Sequence, residues 1–262
     1  MLNFTLFGFQ VFDLAYYFII YAFFGWLLET VYASLLDGRF INRGFLHGPF
    51  CPIYGFGSVL LIVALHPVLE NVILLFIGAV VLTSVLEYLT GLVLEKIFDH
   101  KWWDYSNRRF NIRGMVCLRF SIYWGIISIL MLKYLQLEVD QLVGKIPYQY
   151  GLLGIYVLGL YFLVDFVQTL RTVIELKELI THAQRLTLEG REKLEQIKES
   201  SVEGLEATLG EIKAQYEALY ARRGARHHRL FNAFPNLKAK VRHNERILKN
   251  IRDRFNQMSP KG

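Results

Sequence analysis

The chain has 262 residues, of which 53% are hydrophobic and 15% aromatic, and its mean hydropathy is +0.30. This composition is too apolar for an ordinary soluble domain, and the excess lies before about residue 171. The net charge of +6 comes from the remaining tail, and two cysteines, Cys51 and Cys117, are too few for a disulfide framework.

Five apolar stretches approach or exceed the roughly 17–25 residues that a membrane-spanning helix needs. No Lys or Arg precedes the first stretch and no small-residue cleavage site follows it, so we expect a spanning helix there and not a cleaved signal peptide. The second stretch is short and ends at Pro67, so a re-entrant segment is the alternative there. The sequence predicts an all-α, polytopic membrane helix bundle with spans at residues 12–36, 53–69, 71–95, 113–135 and 148–170.

Lys and Arg residues are concentrated in alternate loops of this bundle. The loop at residues 66–71 has none, and the loop at residues 136–147 has only Lys145. The loop at residues 37–52 has two, the loop at residues 96–113 has five, and the tail has 19. Because basic loops stay in the cytoplasm, five spans would place the N-terminus outside and the C-terminus inside a bacterial cytoplasmic membrane.

Four ionisable residues lie inside the predicted spans, at nearly the same depth: Glu29, Glu87, Arg119 and Asp165. Each is about five to eight residues from one end of its segment, which is roughly 8–12 Å at 1.5 Å per residue. Isolated charges are costly at that depth, so the layer predicts a functional site on the cytoplasmic side. Asp165 is nearest to the tail and is the member most able to face water.

The loop at residues 37–52 and the start of the second span are rich in Gly and Pro, which predicts a defined backbone path. One interpretation is a tight turn in which Gly55 and Gly57 allow close helix packing. The other is a turn that presents three polar side chains towards Glu29, namely Asn42, Arg43 and His47. His47 and Cys51 are four residues apart, but no zinc pattern surrounds them and we predict no metal site.

The loop at residues 96–112 combines aromatic and polar residues. Trp102 and Trp103 are typical of an aromatic anchor at the headgroups. An anchor needs neither Asp104 nor Asn111, so the alternative is that these two residues bind a ligand or cap a short helix.

The charge layer also has two interpretations. Arg119 could neutralise Glu29 or Glu87 in a buried ion pair that sets helix register. Three carboxylates against one arginine leave an excess, which a cation, a proton or loop arginines would balance, and arginines facing one cavity could instead bind a phosphate. The candidate substrate-binding residues are therefore Glu29, Asn42, Arg43, Glu87, Asp104, Asn111 and Arg119.

We divide the chain into a transmembrane domain at residues 1–170 and a cytoplasmic helical tail at residues 171–262. Apolar residues at steps of three and four in the tail predict a coiled coil that could join copies of the chain or a partner protein. Residues 171–220 hold 7 basic and 10 acidic side chains, whereas residues 221–262 hold 12 and 2. The basic end favours anionic lipids of the inner leaflet, and no motif indicates nucleic acid.

The motifs resemble the bacterial type IV ABC-transporter permease family over roughly residues 10–135, without the tail. The segments that carry the resemblance are Gly25–Glu29, Asn42–Leu46, Gly48–Pro49, Cys51–Gly55, Glu87–Tyr88, Trp103–Tyr105, Phe110–Asn111 and Gly114. The resemblance implies transport but no settled substrate, mechanism or cofactor. No phosphate-binding G-x-x-x-x-G-K-[ST] loop is present, so an ATPase would be a separate subunit.

Three functions are compatible with these observations. The first is a permease-like protein with a cytoplasm-facing pocket that binds a small ionic or amphiphilic substrate. Neither an inverted repeat nor a pair of broken helices is evident to support it. The second is a scaffold or regulator that acts through the tail. The third is a membrane enzyme that acts on a lipid headgroup or isoprenoid phosphate, for which no established nucleophile or metal motif is found.

Overall fold

The structure, a computed structural model, describes residues 4–98, 101–197 and 229. The described part of the chain is mainly helical and contains two short antiparallel hairpins, β1–β2 (Thr5–Leu6 and Phe9–Gln10) and β3–β4 (Asn111–Ile112 and Val116–Cys117). Its α-helices are α1 (Val11–Asp37), α2 (Pro52–Leu65), α3 (Val72–Phe98), α4 (Leu118–Leu130), α5 (Gln136–Gly144) and α6 (Tyr148–Ile197). A 3-10 turn (His66–Val68) follows α2, and a π-helical turn (Met131–Leu135) joins α4 to α5.

Within the described ranges, four helices are long and apolar enough to cross a membrane, at Val11–Asp37, Val72–Ile97, Leu118–Gly144 and Tyr148–Glu178. They correspond to four of the five predicted spans. The second predicted span is a shorter apolar helix, Pro52–Val68. The protein is therefore a multi-pass helical membrane bundle, and the orientation of its ends stays a prediction.

The fourth spanning helix begins five residues later than residue 113, where the sequence pattern placed it. Arg113 and Gly114 have φ values of +54° and +73°, which turn the chain between β3 and β4. A helix cannot pass through left-handed residues, so α4 starts only at Leu118. At its other end the helix continues through the π-helical turn to Gly144.

Residues 38–51, here called the return segment, are non-helical and lie back along α1. The N–H of Cys51 donates to the carbonyl oxygen of Ala22 at 2.8 Å, and Ala22 is 15 residues before the end of α1. At 1.5 Å per residue the chain therefore returns by roughly 22 Å before α2 begins. This crossing, which the sequence predicts as a short span or a re-entrant segment, combines an extended segment with a short helix.

From Ile41 onwards the return segment is buried or half-buried inside the bundle, whereas residues 38–40 are exposed. Leu46 is fully buried, and it packs with Phe50 against Ala22 of α1 and Phe162 of α6. Non-helical backbone at such a depth is stable only where protein or a polar cavity satisfies its hydrogen bonds. The side chains that satisfy them define the candidate site below.

Close contact between α1 and α2 depends on glycine. A Cβ atom on Gly55 would lie 2.6 Å from the carbonyl oxygen of Phe18, and one on Gly25 would overlap the ring of Tyr54. Small residues thus let the two backbones approach, as the packing interpretation of the Gly-rich segment predicts.

The chain divides into two compact units, Met1–Thr169 and Leu170–Gly262. Helix α6 is continuous through residue 170 and is described as far as Ile197. The remainder of the predicted coiled-coil tail lies outside the described residues.

Substitution of Gly55 by Ala should destabilise the protein by about 1–3 kcal/mol, because the new methyl group meets backbone that cannot move away easily. The matched control is Gly159→Ala in α6, where an added Cβ has no neighbour within 4 Å. Thermal unfolding of the purified variants measures the difference, at about 2–4 °C per kcal/mol. Equal unfolding temperatures for the two variants would contradict the close packing of α1 on α2.

Candidate functional site

Glu29 lies on α1, and two residues that follow it in the chain reach its carboxylate. The Tyr54 hydroxyl donates to Oε1 at 2.7 Å. The Arg43 guanidinium lies 3.4 Å from Oε2, measured from Nε, and it also lies over the ring of Tyr32 at 5.9 Å. Glu29 is therefore a partly exposed carboxylate with a cation and a hydroxyl on its two oxygens.

Asn42 shapes the return segment around this ion pair. Its Oδ1 accepts hydrogen bonds from Trp26 Nε1 at 2.8 Å and from the N–H of Gly44 at 3.1 Å. Its Nδ2 donates to the carbonyl oxygen of His47 at 2.9 Å. These bonds tie the segment to α1 next to Arg43, so Asn42 positions the arginine from the neighbouring residue.

Asp165 of α6 holds the other end of the segment, an arrangement here called the Asp165 latch. Its Oδ1 accepts the N–H of His47 at 2.9 Å, and its Oδ2 accepts the N–H of Gly48 at 2.8 Å. Thr169 Oγ1 lies 2.9 Å from His47 Nδ1. The latch satisfies two backbone donors that would otherwise be buried without partners, a costly condition at this depth.

Two expectations are corrected by the latch. Asp165 does not face water, because it is only 6% exposed. His47 contacts Asp165 and Thr169, whereas it is Arg43 that forms an ion pair with Glu29. Sequence position could not show this, because the partner lies 118 residues away along the chain.

Glu87 of α3 is the second intramembrane carboxylate. The Tyr105 hydroxyl donates to its Oε1 at 3.1 Å. Its Oε2 is buried and has no hydrogen-bond partner among the residues that the structure describes. Tyr105 lies in the loop before the β3–β4 hairpin, and two hydrogen bonds join this loop to the hairpin: Trp103 Nε1 donates to the carbonyl of Met115 at 2.7 Å, and the N–H of Tyr105 donates to the carbonyl of Gly114 at 2.7 Å.

Tyr105 lies close enough to both carboxylates to sense their charge. Burial first, then the charge of Glu87, and to a lesser extent that of Glu29, raise the pKa of its hydroxyl well above the ordinary value. The Tyr105 ring stacks on Phe120 of α4 at 4.8 Å. Trp124, one turn further along α4, meets the ring of Tyr54 edge-on at 5.7 Å. The two carboxylates therefore belong to one aromatic-lined region.

Asp104 and Asn111 organise the loop between α3 and α4. Asp104 Oδ1 accepts both the hydroxyl and the N–H of Ser106, and these bonds lower the pKa of Asp104. Asn111 donates to the carbonyls of Ser106 and Arg108, and its Oδ1 accepts the N–H of Gly114 at 3.0 Å. Asp104 is exposed and Asn111 is half-buried, and a substrate-binding role for them stays a prediction.

Arg119 lies at the exposed start of α4. Its Nε donates to the Tyr123 hydroxyl at 2.9 Å, and its guanidinium lies over the Tyr123 ring at 5.5 Å. Within the described ranges it forms no ion pair with Glu29 or Glu87, so neither pairing considered from the sequence is present. The rotation of α4 about its axis determines which residues Arg119 contacts, and residue spacing alone does not reveal that rotation.

The structure thus brings Glu29 and Arg43 together with Tyr54, and Glu87 with Tyr105. The two tyrosines were not predicted as site residues, although both stand in the motifs Cys51–Gly55 and Trp103–Tyr105. Each motif follows a loop that returns along the preceding helix, and that return carries the hydroxyl to the carboxylate. Two carboxylates with one guanidinium give the region an excess negative charge, which suits a proton or a cation.

Replacing Asp165 with Asn should loosen the return segment and destabilise the protein by about 1.5–3 kcal/mol, since an amide has one acceptor oxygen for two backbone donors. Cys51, 7% exposed at the end of the segment, should then react faster with N-ethylmaleimide. The rate is measured on a Cys117→Ser background, with exposed Glu138→Gln as the control. An unchanged rate together with an unchanged unfolding temperature would show that Asp165 does not hold the segment.

Comparisons with known proteins show which family the chain belongs to. The family model described as "Putative ABC-transporter type IV" matches residues 16–170. No curated protein and no solved structure gave a significant match. The match reaches beyond the motifs that suggested the resemblance, through α4 and α5 and into α6, and it includes both carboxylates, the return segment and the Asp165 latch. The chain belongs to the ABC-transporter type IV family.

Proposed function

We propose that this membrane protein is a transport-related, permease-like protein whose polar pocket faces the cytoplasm and binds a small ionic or amphiphilic substrate. One observation carries the proposal. Two carboxylates, Glu29 and Glu87, lie within spanning helices, and Glu87 Oε2 is buried without a hydrogen-bond partner among the described residues. A purely structural ion-pair network would leave no such oxygen.

The energetic argument concerns the cost of charge inside a bilayer. An ionisable residue within a spanning segment is costly and is retained where it has an internal partner or a ligand. Arg43 supplies a partner for Glu29. Glu87 has a hydroxyl from Tyr105 and no cation among the described residues, so a proton or a cationic group of the substrate would balance its charge.

We assign cationic side chains, opposite in charge to Glu29 and Glu87, to the outer part of the pocket. Arg43 and Arg119 are cationic, and Asn42, Asp104 and Asn111 hold the loops around them. We assign to these residues the polar or anionic part of the substrate, because a guanidinium binds carboxylate or phosphate oxygens well. An amphiphile with both charges would use both parts.

Two assignments around the pocket rest on the sequence. The excess of Lys and Arg in alternate loops places the pocket on the cytoplasmic side of a bacterial cytoplasmic membrane. An ATPase, if the protein uses one, is a separate subunit, and the basic end of the tail contacts anionic lipid or a partner.

Transport is tested with proteoliposomes on a solid-supported membrane, by recording currents after steps of choline, inorganic phosphate and pH. At least one step should evoke a current that Glu29→Gln and Glu87→Gln reduce at least tenfold, because each variant removes a charge that the substrate senses. Glu95→Gln, two turns further along α3, should leave the current unchanged.

A scaffold that acts through its tail gives a different result. Its wild-type liposomes would respond like protein-free liposomes, and both glutamine variants would express and fold normally. That result would contradict the transport proposal.

A further inference from the structure

The first two helix pairs of the chain repeat one pattern. Leu28-Glu29 in α1 corresponds to Leu86-Glu87 in α3. An Asn-Arg-Gly sequence at residues 42–44 follows the first pair of residues, and an Asn-Ile-Arg-Gly sequence at residues 111–114 follows the second. Cys51 then precedes α2, and Cys117 precedes α4.

The structure gives the two copies corresponding places. Each Glu lies in the last half of its helix, and the chain after that helix folds back along it. Each Cys is the extended residue immediately before the next helix. Each Glu accepts one tyrosine hydroxyl, from Tyr54 in the first copy and from Tyr105 in the second. Glu29 and Glu87 therefore have similar surroundings in two related units, although Tyr54 follows the Asn-Arg-Gly sequence and Tyr105 precedes the Asn-Ile-Arg-Gly sequence.

The two units differ in where the arginine goes. In the first unit Arg43 reaches Oε2 of Glu29 and lies over an aromatic ring, that of Tyr32. In the second unit the corresponding Arg113 is exposed, has a φ of +54°, and its carbonyl accepts a hydrogen bond from Lys101. Among the described residues Arg113 forms no ion pair with Glu87, and the corresponding oxygen of Glu87, Oε2, has no hydrogen-bond partner.

We propose that Glu87 Oε2 binds an amine or guanidinium group of the substrate, in the place that Arg43 fills in the first unit. This assignment rests on the proposed function and specifies its cationic ligand. The aromatic surroundings agree with it, because Tyr105 stacks on Phe120 and Phe120 meets Tyr123 edge-on at 6.0 Å. Aromatic faces attract a cation when it is desolvated.

A metal ion fits the position less well. The described residues contain no group of three His, Cys, Asp or Glu side chains that could hold one. Calcium takes six to eight oxygen ligands and magnesium six, so a single carboxylate oxygen beside a phenol is a poor site for either. An N–H donor needs just one such oxygen.

The test uses the full chain in lipid nanodiscs and three chloride salts at equal ionic strength: n-butylguanidinium, tetramethylammonium and sodium. Binding is followed by tryptophan fluorescence, which Trp103 and Trp124 report from close to Tyr105 and Tyr54. We expect saturable binding of n-butylguanidinium, at least tenfold weaker binding of the other two cations, and loss of at least tenfold in affinity in Glu87→Gln. The control Glu95→Gln should bind like the wild type.

Further variants keep the test informative if Glu87→Gln does not fold. Glu87→Asp retains the carboxylate on a side chain that is one methylene shorter. This variant should bind n-butylguanidinium more weakly than the wild type does, but more tightly than the variant binds sodium. Equal affinity in the wild type and Glu87→Gln would overturn the assignment, and so would equal affinity for the three cations.

Failure of the proposal that Glu87 binds an amine can be distinguished from failure of the transport proposal. If phosphate or pH steps evoke currents that depend on Glu29 while n-butylguanidinium does not bind, the pocket transports but Glu87 does not bind an amine. If the liposomes give no current and no cation binds, both proposals fail.

Discussion

The constraint on which the rest of the structure depends is that backbone inside a membrane protein must have its hydrogen bonds satisfied. The return segment meets this requirement at three places. Asp165 accepts two N–H groups, Ala22 accepts the N–H of Cys51, and Asn42 binds the backbone of Gly44 and His47, just after Arg43. An extended chain can therefore enter the bundle, and a short helix can complete the crossing.

That entry also positions the chemistry. Because the segment lies back along α1, Arg43 within it and Tyr54 of the following helix α2 both reach Glu29. The loop after α3 returns in a similar way and carries Tyr105 to Glu87. The two loops differ in one respect: the first supplies Arg43 to Glu29, whereas the second supplies no cation to Glu87 among the described residues. The proposed binding at Glu87 and the shape of the backbone are thus linked through the same loops.

The sequence predicted those features that depend on local composition. Hydropathy located four spanning helices and a shorter fifth one, and the cost of buried charge selected Glu29 and Glu87. Gly and Pro after α1 indicated a defined path. The start of α4 was missed, because the left-handed Arg113 and Gly114 form a turn that apolar neighbours conceal.

Features that depend on how helices are rotated could not be predicted. The partners of Asp165 come from a segment more than 100 residues earlier in the chain, so its burial was not visible. Arg119 was expected near the carboxylates by depth, yet its helix turns it to Tyr123. The tyrosine hydroxyls were missed although their motifs were recognised, because only the folded loops show which carboxylate each one meets.

The most direct test of the central claim is an experimental structure of the full chain in lipid nanodiscs, prepared with n-butylguanidinium. We predict non-protein density within hydrogen-bond distance of Glu87 Oε2, beside Tyr105, while Arg43 remains paired with Glu29. A closed site in which Arg113 or Arg119 occupies Glu87 would contradict it, and would assign the two carboxylates to holding the helices together.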